Sequence, residues 1–185
     1  TASFMTGAPG STPADPVTLF DVSIAWGCAL FLLLSAAAHA IIAAPGVFPW
    51  YRANLLQDRN YARWIEYSLS SSVMIVLIAM ITGISDIAAL VALFGVNVSM
   101  ILFGLVQEKY ESPGGGMLPF WLGCIAGITP WSAIGIYLVS PGNASSPPGF
   151  VYGIFISLFV LFNSFALNQW LQYRQVGKWR DYLRG

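Results

Sequence analysis

Residues 63–84, RWIEYSLSSSVMIVLIAMITGI, constrain this chain more than any other stretch. Every position from 73 to 81 is apolar. A helix that is apolar on all faces does not belong to a one-sided soluble core, so the stretch reads as a membrane-spanning helix. Glu66 sits one turn inside its start, followed by Tyr67, Ser68, Ser70, Ser71 and Ser72. An ionisable group in a spanning helix is costly, faces a cavity or a partner, and marks function by default. A plainer account stands beside this. Arg63 lies three residues earlier on the same helical face, and an interfacial Arg63–Glu66 pair explains both charges without any function.

Composition agrees with the membrane reading. Of 185 residues 57% are hydrophobic and only 9% charged, against about 25% charged in soluble domains. The zero net charge argues against a nucleic-acid partner. Cys28 and Cys124 both fall in apolar runs and read as small core residues. One histidine without a Cys/His cluster gives no basis for a metal site. The opening run is polar, with no basic-then-apolar leader, so no signal peptide is expected.

Five apolar segments are expected to cross the membrane, at about 20–44, 62–84, 87–107, 118–139 and 150–172. Residues 1–19, rich in Gly, Pro, Ser and Thr, read as an exposed loop or tail. Asp21 falls in the first turn of the first segment, and FPWYRANLLQDRNYA reads as a loop with interfacial aromatics. Pro130 should kink the fourth segment. All eight basic residues lie in 51–63, 108–116 or the stretch after 172. Five crossings put those regions on one side, which the positive-inside rule makes cytoplasmic. The Asn143-Ala-Ser145 sequon then lies outside.

This orientation sets depths. His39 and Glu66 each lie about five residues from the cytoplasmic end of their helices, roughly 7–8 Å deep. Ser35 shares a face with His39, and Ser70 with Glu66. A buried network of Ser35, His39, Glu66 and Ser70, extended by Asn97 or Asn163, is one reading. Serines and asparagines that only join helices are the other. Met74, Met100, Trp121, Trp131, Phe155, Phe159, Phe162 and Phe165 either line an apolar ligand pocket or simply pack.

The stretches RWIEYSLSSSVMIVLIAMITGISD, LFLLLSAAAHAIIA and FVYGIFISLFVLFNSFALNQWLQYRQVGKWRDYL resemble the third, second and sixth helices of heliorhodopsins. The resemblance implies an all-α membrane protein, a rhodopsin-like bundle with five of an expected seven helices. Residues 173–185 would then be a cytoplasmic linker toward a seventh. It implies all-trans retinal as cofactor and a light sensor, not an enzyme or an ion pump. It also implies a lipid bilayer, a homodimer and a cytoplasmic signalling partner. On it Glu66 is the Schiff-base counterion, His39 belongs to the polar network near the chromophore, and Glu108 is the carboxylate at the cytoplasmic end of the fourth helix. Tyr67, Ser70, Met74, Asn97, Met100 and Phe162 would wall the pocket. The only lysines, Lys109 and Lys178, fall in cytoplasmic loops, so the Schiff-base lysine is not among these residues and a fragment of a longer pigment is expected. The alternative is a non-photochemical module: a lipid or carotenoid binder, or a transporter or partner subunit built around a polar network.

Overall fold

The computed structural model describes residues 2–5, 16–139 and 148–179. Five of its helices are long and apolar enough to cross a membrane. They are α1 (Ile24–Ala43), α3 (Tyr61–Ile81), α4 (Ile87–Tyr110), α5 (Leu118–Val139) and α6 (Gly149–Tyr173). The protein is an integral membrane helical bundle.

Local chemistry sets the helix starts. Ser23, Asn60 and Asp86 each accept a hydrogen bond from a backbone N–H three residues on, which satisfies a donor the first turn leaves open. Because Ser23 is the cap, α1 begins later than its apolar run, and Asp21 precedes the helix instead of lying in its first turn. Gly83, at φ +109°, makes the tight link from α3 to α4, a conformation that disfavours any side chain. α4 runs three residues past its expected end, through Glu108, Lys109 and Tyr110. α5 continues through Pro130.

Two segments differ from the sequence reading. The loop after α1 contains a short helix, α2 (Phe48–Leu55). Pro49 falls in its first turn, where a missing N–H costs nothing. Eight residues are too few to show a clear helical period, so the segment read as loop. The N-terminal region is not all loop either. β1 (Ala2–Met5) pairs antiparallel with β2 (Pro16–Phe20), with Ser3 opposite Thr18 and Phe4 opposite Val17. The Gly/Pro content of the intervening stretch hid two short segments, of which only the second, PVTLF, is rich in β-favouring residues. The sequon at Asn143 lies outside the described residues.

The packing centre is α3–α4–α5. Ile75, Ile78 and Ala79 of α3 meet Leu90 and Leu93 of α4 and Trp131 and Ile134 of α5. α1 packs on α3 and has no buried residue, while α6 meets α5 along an aromatic seam. The apolar surface these outer helices expose, Trp26, Leu32 and Leu33 among it, suits lipid. At the opposite end from the α3–α4 link, Gln107 ties three elements together. Its amide donates to Gly116 O (2.8 Å) and accepts from Phe120 N (3.1 Å), and its backbone carbonyl accepts from the Tyr173 hydroxyl (3.3 Å). Gln107 is fully buried, so each of these bonds replaces water that cannot reach it.

Candidate functional site

Asn60 caps α3 by accepting from Arg63 N at 3.1 Å, and so fixes where the first turn points. Glu66 follows within that turn and a half and is 8% exposed. Its carboxylate is met from the neighbouring helix: Ser35 Oγ donates to Glu66 Oε1 at 2.5 Å. One turn further along α1, His39 Nδ1 stands 2.7 Å from Ser35 O. A carbonyl only accepts, so this contact puts the proton on Nδ1. His39, Ser35 and Glu66 thus form one chain of contacts across the α1–α3 interface. A cavity of about 160 Å³ opens beside it, lined by His39, Tyr51, Asn60, Arg63, Glu66 and Tyr67 with apolar side chains of α1. Tyr67 meets Phe165 of α6 edge to face, ring centroids 5.5 Å apart.

The remaining expected residues separate from this group. Ser70 is buried, yet Ser35 is the hydroxyl that reaches Glu66. Asn97 is buried and donates to Ser71 Oγ (2.9 Å) and Ser72 Oγ (3.0 Å), forming its own α3–α4 cluster. Its reach is set by depth, since it sits a turn and more beyond the Glu66 layer. Asn163 donates to Phe159 O of its own helix and does not extend the network. Phe162 packs edge-on against Trp131 at 5.4 Å, with Phe155 and Phe159 on the same indole. Met74 packs against the same core cluster. Met100 lies in the α4–α5 seam, with its sulfur beside Gly127.

The Arg63–Glu66 pair is not formed. Arg63 Nη2 instead reaches Glu108 Oε1 of α4 at 3.4 Å, and the other Glu108 oxygen accepts from the Trp64 indole N–H. Arg63 also lies over the Trp64 ring, 4.8 Å from its centroid. Spacing along one helix favoured the local partner, but the guanidinium turns to the carboxylate 45 residues away. Trp64 and Gly104, over which the indole lies, went unnoticed in the sequence. No periodicity within a single helix links positions 64, 104 and 108.

The family model described as Heliorhodopsin matches residues 1–185. The chain belongs to the heliorhodopsin family. No curated protein matches it. Heliorhodopsins are retinal proteins. A buried carboxylate is bonded to a hydroxyl, an exposed imidazole stands one turn further along α1, and an aromatic seam runs between α5 and α6. Lys109 lies in the last turn of α4, its ammonium 5.1 Å from the Tyr110 ring, and Lys178 lies beyond α6.

Proposed function

We propose that this heliorhodopsin is a non-pumping light sensor in which Glu66 is the negative charge opposed to a cationic chromophore. The observation that carries the reading is the Glu66 carboxylate. It is buried, unpaired with Arg63, and held by Ser35 from the next helix. When bound, retinal supplies light absorption and a delocalised positive charge. Glu66 offers that charge an anion, and in a low-dielectric interior such an interaction is strong. Ser35 fixes the carboxylate, and His39 ties Ser35's own turn to the same layer. Phe162, Met74 and Tyr67 contribute wall, Ser70, Asn97 and Met100 lie in adjoining seams, and the amine that would hold retinal is supplied from outside residues 1–185.

The non-pumping reading rests on where the other acids stand. Glu108 is occupied by Arg63 and Trp64, and Asp86 caps α4, so no deeper carboxylate continues a proton path from Glu66 among the described residues. The placement of the basic residues supports an orientation with 45–61, 108–117 and 173–185 in the cytoplasm. We infer in addition a homodimer in the membrane and a partner on the cytoplasmic side, as the family resemblance implies.

The test is Glu66→Gln in the retinal-loaded protein. The substitution keeps size and hydrogen bonding but removes the charge. An anion near the cation's resting end favours the ground state and raises the absorption energy. The expected result is therefore a red shift, or loss of visible colour at neutral pH if the chromophore's proton is lost. His39→Ala should do less. An unchanged spectrum with an unchanged pH titration would remove Glu66 from this role.

A further inference from the structure

Arg63 has two carboxylates in reach. Glu66 is three residues on along the same helix, a spacing at which side chains are neighbours. Arg63 and Glu66 also border the same cavity. Glu108 stands across the interface on α4. The guanidinium takes Glu108, with a single contact at 3.4 Å. Trp64 finishes the arrangement from both sides: its indole N–H donates to the second Glu108 oxygen, and its ring lies under the guanidinium. Gly104, one helical turn before Glu108, makes room for that ring, since a Cβ there would collide with it. The hold on Arg63 is nonetheless slight. Its Nε is buried and has no hydrogen-bond partner, so the group gives up little by leaving.

The geometry points to Glu108 as a positioning residue for the site: by holding Arg63 on α4, it keeps that cation off Glu66 and leaves Glu66 the uncompensated anion. This inference rests on the counterion reading of Glu66. Without the Glu108 charge, the nearest carboxylate open to Arg63 is Glu66 itself. An Arg63–Glu66 pair would neutralise the site from within and weaken the field on the chromophore. A pair that merely fastened α3 to α4 would have no such effect.

The experiment compares Glu66→Gln, Glu108→Gln and the double variant Arg63→Gln/Glu108→Gln in the retinal-loaded protein. Thermal unfolding of the retinal-free forms is measured alongside. Glu108→Gln should shift absorption to the red, in the direction of Glu66→Gln but by less. Removing Arg63 as well should return the maximum toward the parent position. In the retinal-free protein, Arg63→Gln and Glu66→Gln should change Tm additively in the parent background and non-additively once Glu108 is Gln, because the new pair forms only then. If Glu66→Gln shifts the spectrum while Glu108→Gln does not, or if the double variant keeps the shift, the positioning role is overturned and the counterion reading stands. If Glu66→Gln leaves the spectrum unchanged, the counterion reading fails, and the unfolding cycle alone decides where Arg63 goes. Additivity in both backgrounds overturns the inference.

Discussion

Gly104→Ala isolates the contact on which the Arg63–Trp64–Glu108 arrangement depends. A methyl at 104 would stand 2.9 Å from Cε3 of Trp64, with two further ring carbons nearer still. The obstacle is a rigid ring between two packed helices, not the end of a flexible chain. Overpacking of this kind costs about 1–3 kcal/mol. If the ring moves, the indole loses its bond to Glu108, and hydrogen bonds to charged groups are worth about 1.5–3 kcal/mol. Alanine's better helix propensity returns up to about 1 kcal/mol. The net expectation is a loss of about 1.5–5 kcal/mol if the bond breaks, and of about 0–2 kcal/mol if the ring slides and keeps it. Gly95→Ala is the control: it lies on the same helix, and a Cβ there meets nothing within 4 Å. It should be neutral or slightly stabilising. The assay is unfolding in mild detergent, by denaturant or heat, with tryptophan emission as a second readout. If Gly104→Ala and Gly95→Ala proved equally stable, the close seating of Trp64 on α4 would be wrong.

Other outcomes follow from the same contacts. Asn97→Ala removes two bonds between α3 and α4 and should cost about 1 kcal/mol, whereas Asn163→Ala, which loses only a bond to its own helix, should be near neutral in the same unfolding assay. With Cys28 and Cys124 replaced by Ala, an impermeant thiol reagent applied outside intact cells should label Asp86→Cys and spare Lys178→Cys; the reverse pattern would invert the proposed topology. Residues 1–185 expressed alone should give no borohydride-reducible retinal adduct, since neither lysine lies at the depth of Glu66, and a stable adduct on this chain would contradict that placement.

The bundle was legible because length and uniform apolarity speak for a crossing without any knowledge of partners. The extents of α3, α5 and α6 follow their apolar runs within a few residues. What depends on another helix was much less so. Ser35 with Glu66 could be reached by matching depths on consecutive antiparallel helices, since such neighbours share layers. Glu108 as the partner of Arg63 could not, because rotation about a helix axis decides which of two carboxylates is faced, and a uniformly apolar helix gives little signal of rotation. Asn97 could be read as interior, but whether it joined the Glu66 network or only tied helices was open; its partners are Ser71 and Ser72. α2 and the β1–β2 ribbon were missed for being short, as periodicity needs length to register.

The serines of α3 have a mechanical consequence. Ser68, Ser71 and Ser72 turn their hydroxyl protons back on carbonyls of the preceding turn, at 2.8, 2.6 and 2.7 Å. Each such bond competes with the backbone ladder and favours bending. Beyond them α3 is a stiff apolar rod through Ile75, Ile78 and Ala79, and before them lies the turn bearing Glu66. Asn97 grips the joint by two hydroxyls, not by the backbone, so the grip tolerates a change of angle. The section of α3 most open to bending thus lies between the turn that bears Glu66 and the packed apolar half.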